Sequence, residues 1–224
     1  MRINKYLASC GIASRRSAEK LITDGFVKIN NVVITNLSTD IKDTDLVLVK
    51  DKKIYPVQNK IYIILNKPVG VLSTCFDPQK RKTILDIVKV KQRIFPVGRL
   101  DYDTSGLLIL TNDGAFANKM THPKNQTKKI YIATTDKPLT LAQLQLLSNG
   151  VLIDGYKTAP AEFKEIAGQK IQITIHEGKN RQIRKMFETI DVKVKTLQRI
   201  QEDNIKLGSL PIGKWKFFTP QSFT

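Results

Sequence analysis

The chain has 224 residues, of which 37 are lysine or arginine and 20 are aspartate or glutamate, so its net charge is +17. Hydrophobic residues make up 41% of it and lie along its whole length, which excludes an intrinsically disordered chain, while two cysteines and two histidines are too few for a disulfide scaffold or a Cys/His metal site. The apolar runs are too short to span a membrane, and the positive charge predicts a polyanionic partner, with RNA or DNA as the first candidates.

Residues 1–56 predict a small domain of two helices and a hairpin. Apolar residues repeat with helical spacing from position 3, Gly11 ends this first helix, and Ser14 can cap a second one. Gly25 then ends the second helix, and an Asn30-Asn31 turn joins two strands, with one more short strand after them. We therefore expect a compact α/β unit at this end of the chain.

Residues 57–224 predict a second, larger domain, whose first strand follows a linker formed by Pro56 and the polar residues 58–60. The pattern predicts strands over residues 61–65, 107–111, 130–134, 161–166, 170–175 and 192–199, and helices over residues 83–88, 115–121, 141–148 and 182–189. Because helices do not separate the strands regularly, the sequence predicts an α+β domain with a mixed, largely antiparallel sheet.

The positive charge is spread over both predicted domains. Residues 1–58 contain ten basic and six acidic residues, and residues 59–224 contain 27 basic and 14 acidic ones. The basic residues form short clusters inside folded-looking sequence rather than a tail. Such a distribution is typical of a protein that follows a phosphate backbone over some distance.

The stretch from Gly98 to Leu108 carries two carboxylates, Asp101 and Asp103, between two apolar segments. A calcium loop of the EF-hand type is excluded because Asn112 stands where a bidentate glutamate is needed. An aspartic protease is excluded because the sequence contains no second copy of the motif. The remaining interpretation is a single catalytic carboxylate that a nearby arginine keeps ionised.

Four motifs in order resemble those of the RNA pseudouridine synthases, in the form used by the RsuA/RluB branch. They are Lys67-Pro68-Val69-Gly70, Gly98-Arg99-Leu100-Asp101 with Thr104-Ser105-Gly106-Leu107-Leu108, Lys129-Ile130-Tyr131, and Glu177 to Met186. The first domain resembles the S-four type of RNA-binding domain, which precedes the catalytic domain in that branch. Together the two resemblances cover nearly the whole chain.

The resemblance implies the conversion of a specific uridine in ribosomal RNA to pseudouridine, which needs no cofactor and no metal. It implies Asp101 as the catalytic carboxylate, Tyr131 as the residue that stacks on the flipped uracil or helps to remove its C5 proton, and Arg184 as the partner of Asp101. It further implies that RNA is bound by basic residues of both domains, namely Lys5, Arg15, Arg16, Lys20, Arg99, Lys179 and Arg181. Arg181 is expected on the surface of the helix that carries Arg184.

The expected partner is ribosomal RNA or a ribosomal subunit precursor, with no membrane, and the chain is expected to act as a monomer in the cytoplasm. The alternative is a non-catalytic RNA-binding or ribosome-assembly factor with the same fold. The sequence departs from the family at Asp203, where members usually carry glycine, and a left-handed backbone there would suit aspartate better than most residues. Lys67 and Pro68 are expected to shape the end of the sheet.

Overall fold

The computed structural model describes residues 1–220, which fall into two compact units. The first unit consists of Met1–Ile61 with Val90–Arg93 and Asn112–Gly114, and the second consists of Tyr62–Lys89, Ile94–Thr111 and the chain from Ala115 onward. The predicted boundary after residue 56 stays a prediction. Among residues 1–220, no helix has the length and hydrophobicity needed to cross a membrane.

The first unit packs two helices on a small antiparallel sheet. Its elements are α1 (Ile3–Ser9), α2 (Arg15–Thr23), β1 (Val27–Ile29), β2 (Val32–Val33), β3 (Val47–Val49) and β4 (Lys52–Lys53), with the strand order β2-β1-β3-β4. The Ser14 hydroxyl accepts a hydrogen bond from the Ser17 amide and so caps α2 as predicted. Asn30 and Asn31 both have positive φ, which a tight two-residue hairpin turn requires. The core is a cluster of aliphatic side chains from both helices and the sheet.

The second unit is built on a nine-stranded sheet with the order β11-β12-β8-β13-β7-β5-β15, to which β14 and β6 add at β13 and β7. Its strands are β5 (Tyr62–Lys67), β6 (Phe95–Val97), β7 (Ser105–Thr111), β8 (Lys129–Thr135), β11 (Glu162–Ala167), β12 (Lys170–Ile175), β13 (Val194–Glu202), β14 (Ile205–Lys206) and β15 (Trp215–Phe217). A separate hairpin contains β9 (Leu152–Ile153) and β10 (Tyr156–Lys157). All described pairs of this sheet are antiparallel except β7 with β13, which confirms the predicted mixed, largely antiparallel sheet.

Three helices accompany the sheet: α3 (Gly114–Thr121), α4 (Leu141–Ser148) and α5 (Gln182–Glu188). The helix predicted over residues 83–88 is wrong, because Ile84–Asp86 forms a single 3-10 turn. The Asp86 carboxylate accepts hydrogen bonds from the amide and hydroxyl of Thr83, which satisfies the start of the turn. The next residues, Ile87 and Val88, are β-branched and disfavour a longer helix.

Strand β7 changes neighbour along one of its edges, and this change positions the loop between β6 and β7. Its first residues pair with β13, while its last residues pair with β6. On the other edge, β5 pairs with β7 from Gly106 to Thr111. The loop of residues 98–104 therefore emerges where β6 and β13 diverge.

Candidate active site

A cavity of about 750 Å³ opens in the second unit, beside the loop of residues 98–104. Its walls come from that loop, from β8 and β13, and from residues 175–183. Five of the residues that the sequence predicted for the site line this cavity: Arg99, Asp101, Tyr131, Lys179 and Arg181. Residues that lie far apart in the sequence thus face one space.

Asp101 lies at the wall of the cavity in a loop that is held on both sides. The amide of Thr104 donates to the Asp101 carbonyl at 3.1 Å, which closes a turn. The buried Ser73 hydroxyl donates to the Leu100 carbonyl at 2.7 Å and accepts from the Leu100 amide at 3.1 Å. Within residues 1–220, the half-buried carboxylate of Asp101 forms no ion pair and no hydrogen bond, so it is available to a substrate.

The predicted pairing of Arg184 with Asp101 is wrong in this structure, because Arg184 pairs with Asp103. The Arg184 Nε lies 3.1 Å from Asp103 Oδ2, its Nη2 donates to the Asp103 carbonyl at 3.0 Å, and its Nη1 donates to the Val194 carbonyl at 2.5 Å. The reason is the turn at Asp101–Thr104, which places Asp103 at its corner facing α5. Arg184 therefore anchors the loop that carries Asp101.

Arg181 also binds Asp103, through two parallel hydrogen bonds of 2.9 and 3.0 Å. It is exposed, as predicted, and lies one helical turn before Arg184 at the start of α5. Burial raises the pKa of the Asp103 carboxyl, but the hydrogen bond from Arg181 and the charges of both arginines outweigh it and hold that pKa below its usual value. Asp103 is therefore an ionised anchor for both arginines.

Lys67 lies fully buried at the end of β5 and donates to the carbonyls of Pro68 and Val71 at 2.9 and 2.8 Å. These two bonds shape the turn that follows β5. Burial lowers the pKa of Lys67 to about 8, and the negative charges of Asp101 and Asp103 oppose that change. The Lys67 ammonium is therefore an electrostatic partner of both Asp101 and Asp103.

Tyr131 is buried on β8, and burial raises the pKa of its phenol. Arg199 lies directly opposite on β13, and its positive charge opposes that rise in the pKa. The guanidinium also forms an ion pair of 3.1 Å with Glu202, and both side chains line the cavity. Neither Arg199 nor Glu202 was predicted from the sequence. Their strand offered little signal, because six of the nine residues of β13 are polar or charged.

The loop before α5 is fixed by Gln182, which is buried. Its amide group donates to the Glu177 carboxylate at 2.6 Å, and its carbonyl oxygen accepts from the Lys179 amide at 3.0 Å. Glu177 in turn accepts from the Ala159 amide at 3.0 Å. These bonds hold the backbone that presents Lys179 and Arg181 to solvent.

The four basic residues predicted to bind RNA in the first unit lie on or beside its two helices. Lys5 is on α1, Arg15, Arg16 and Lys20 are on α2, and all four side chains are exposed. They are free of ion pairs within residues 1–220, so their charge is available to a polyanion.

Asp203, the one departure from the family pattern, has a φ of +52°. The backbone is left-handed there, and its amide donates to the Lys128 carbonyl at 2.7 Å. Aspartate tolerates this conformation better than most residues do, so the turn is kept without glycine.

Comparisons with known proteins agree with this geometry. The RNA pseudouridylate synthase family matches residues 61–189, and the S4 domain family matches residues 1–47. Ribosomal large subunit pseudouridine synthase B of Bacillus subtilis (strain 168) is 43% identical over 226 residues, which cover 98% of this chain and 92% of that protein. Dual-specificity RNA pseudouridine synthase RluF of Escherichia coli (strain K12) is 39% identical over 221 residues, which cover 98% of this chain and 76% of that protein.

A solved structure, described as a crystal structure of pseudouridylate synthase, matches with a TM-score of 0.71 and 28% identity. The match covers 98% of this chain and 96% of that one. These findings confirm the resemblance on which the sequence analysis relied. The chain belongs to the RNA pseudouridylate synthase family and carries an S4 domain ahead of the synthase domain.

Proposed function

We propose that this protein converts a uridine of ribosomal RNA to pseudouridine, with Asp101 as the catalytic carboxylate. The observation that carries the proposal is the single cavity in which Asp101, Tyr131 and exposed cations meet. The name of the Bacillus subtilis relative favours RNA of the large subunit. A monomer in the cytoplasm, where ribosomal RNA is found, fits this activity.

In this reaction the bond between N1 of uracil and C1′ of ribose breaks, the base turns, and a bond between C5 and C1′ forms. The C5 proton is lost and N1 gains one, so the change is an isomerisation. Asp101 acts on the sugar or takes a proton, and the buried Tyr131 contacts the base or receives the C5 proton. The target nucleotide leaves its stack to reach these groups.

The remaining predicted residues hold the RNA and the loop. Arg99, Lys179 and Arg181 bind phosphates near the cavity, and Arg184 keeps the Asp101 loop in place through Asp103. Lys5, Arg15, Arg16 and Lys20 bind structured RNA through its phosphates, because exposed cations on helices read shape and charge rather than base edges.

The test is to map pseudouridine in ribosomal RNA from cells with and without the protein, and from cells that carry only Asp101→Asn. We expect one uridine, in large-subunit RNA, to lose its modification in the absence of the protein and in the Asp101→Asn strain. The purified Asp101→Asn protein is expected to bind this RNA within about threefold of wild type, because Asp101 does not contact phosphates.

Asp103→Asn is the matched control, since the side-chain oxygen of asparagine can still accept a hydrogen bond from Arg181, and the backbone carbonyl of residue 103 still accepts from Arg184. It is expected to retain at least about a tenth of the activity. Activity of Asp101→Asn within about tenfold of wild type would remove Asp101 from its role.

A further inference from the structure

A buried ion pair lies against Tyr131 at the inner wall of the cavity. Arg199 and Glu202 are each 1% exposed, and the Nη2 and Oε2 atoms that join them lie 3.1 Å apart. Across the strand from Glu202 lies Lys129, whose pKa burial lowers and the Glu202 charge raises. The pair is therefore the charged part of the wall behind the tyrosine.

A bulge in β13 brings the two members of the pair together. Residues three apart on a regular strand point to opposite faces of a sheet. Here the register shifts by one residue at Ile200, so that Arg199 lies opposite Tyr131 and Glu202 lies opposite Lys129. Because Lys129 and Tyr131 are two apart, all four side chains share one face.

Arg199 and Tyr131 are cross-strand neighbours, and a hydrogen bond between their side chains can run in one direction only. A guanidinium has donors only, so the phenol oxygen accepts, and its own O–H proton is left to point elsewhere. The Arg199 Nε is fixed by its bond of 2.8 Å to the carbonyl of Leu107, in the part of β7 between its β13 and β6 partners. The guanidinium therefore has little freedom to turn.

A buried ion pair of this kind is a poor source of stability. Removing two charges from water costs about as much as their attraction returns, and apolar residues of similar size often replace such a pair without loss. Within residues 1–220, Arg199 Nη2 and Glu202 Oε2 also have no hydrogen bond of good geometry, although both are buried. We therefore expect the pair of Arg199 and Glu202 to have a role other than stabilising the fold.

We propose that Arg199 and Glu202 are positioning residues for Tyr131, in which the guanidinium fixes the phenol oxygen as an acceptor and Glu202 balances its charge. The O–H proton of Tyr131 is thereby directed into the cavity, where the base binds. This inference rests on the proposed function and adds to it a reason for the geometry of the tyrosine.

The first test is the single-turnover rate at saturating enzyme on ribosomal RNA isolated from cells that lack this protein. The double variant Arg199→Met/Glu202→Met removes the pair and keeps its volume. We expect its rate to fall by about 10- to 100-fold, because a displaced catalytic group costs that much. The enzyme concentration at half-saturation is expected to stay within about twofold. The matched control is Lys137→Gln/Asp191→Asn, which removes an exposed ion pair of 3.3 Å, and its rate is expected to be unchanged.

The second comparison places the same double change in a Tyr131→Phe background. If the pair acts through the phenol oxygen, its removal there changes the residual rate by less than about threefold. The proposal would be overturned if the single-turnover rate fell by the same factor in both backgrounds. It would also be overturned if the rate stayed unchanged and only the enzyme concentration at half-saturation rose.

A spectroscopic readout does not depend on turnover. With the phenol carbon of tyrosine labelled with ¹³C, the six tyrosines give signals of which Tyr131 is identified by its absence from Tyr131→Phe. We expect the Arg199/Glu202 double variant to move the Tyr131 signal and leave the other five in place. A Tyr131 signal that stays would overturn the proposal, whereas wild-type enzyme that makes no pseudouridine would overturn the proposed function alone. If the double variant does not fold, Arg199→Lys gives the same test, since it keeps the charge and loses the planar fork.

Discussion

A fully buried lysine lies behind the proposed catalytic carboxylate. The Lys67 ammonium is bound to two backbone carbonyls, and burial lowers its pKa to about 8. In the unfolded chain the same group has a pKa of about 10.4. Between these two values the unfolded state holds more protons than the folded state, so the contribution of Lys67 to stability rises with pH.

We predict that this contribution rises by about 2 kcal/mol between pH 7.5 and pH 9.5. The measurement is urea unfolding of wild type and Lys67→Met at both values. The methionine variant lacks the titrating group, so the wild type should gain about 2 kcal/mol more than the variant over this interval. Equal changes in the two proteins would mean that the pKa of Lys67 is not lowered by the fold.

Asp101 and Tyr131 could be proposed as site residues from the sequence because each lies in a short motif with family precedent, and both line the cavity. The partner of Arg184 could not, because the Asp101–Thr104 turn decides which carboxylate faces α5, and that turn depends on contacts with Ser73 and β7. Arg199 and Glu202 were missed for a similar reason. Only the bulge places them on one face, and a pattern of period two does not reveal it.

At the scale of elements, the close approach of β7 and β13 depends on one glycine. Gly106 has a φ of +107°, and a Cβ atom there would lie 2.2 Å from the carbonyl oxygen and 2.7 Å from the amide nitrogen of Arg199. These are backbone atoms of Arg199, which cannot move aside by a change of rotamer as side-chain atoms can. Gly106 is thus the residue that lets β13 bring Arg199 beside the cavity.

Gly106→Ala is predicted to destabilise the fold by about 3 kcal/mol, since β13 has to move and the backbone conformation suits only glycine. Urea unfolding at 25 °C measures this. Gly114→Ala is the control, because nothing lies within 4 Å of its Cβ position at the start of α3. Gly114→Ala is expected to change the free energy of unfolding by less than about 0.5 kcal/mol. The interpretation fails if the two variants have equal stability.

Strands that are long and apolar were predicted within two or three residues of their observed ends, as β12 and β7 illustrate. The two-residue strands β4 and β14 were not predicted, because two residues carry no periodicity. The predicted strand over 192–199 continues to Glu202, since the bulge lets β13 keep its pairing with β8.

At the scale of the whole molecule, positive charge is distributed over both units, and its effect on RNA binding depends on salt. Each phosphate that a protein neutralises adds about 0.7 to 0.9 to the slope of log affinity against log salt. The exposed cations of α1 and α2 should therefore contribute a measurable part of the slope of log affinity against log salt. The change to test is Lys5, Arg15, Arg16 and Lys20 each replaced by glutamine.

We predict that this fourfold variant lowers the slope by about 3, with weaker binding to structured ribosomal RNA at physiological salt. The control has the same change in net charge, with the exposed lysines of the hairpin region replaced by glutamine: Lys42, Lys50, Lys52 and Lys53. Its slope is expected to change by less than about 1. Similar changes in both variants would indicate general attraction rather than a defined contact surface.

The position of β15 in the sheet has a consequence for synthesis of the protein. Trp215 pairs with Leu65, so one edge of β5 has no neighbouring strand until β15 has been synthesised. At about 5–20 residues per second, a ribosome needs roughly 8–30 s to make the intervening segment. During that interval the nascent chain exposes an unpaired strand edge with Ile63, Ile64 and Leu65, the kind of surface on which chains associate wrongly. The helices and hairpin of residues 1–53 contact near neighbours and are free to fold at once, whereas the sheet of the second unit is complete only after residues 215–217 have been made.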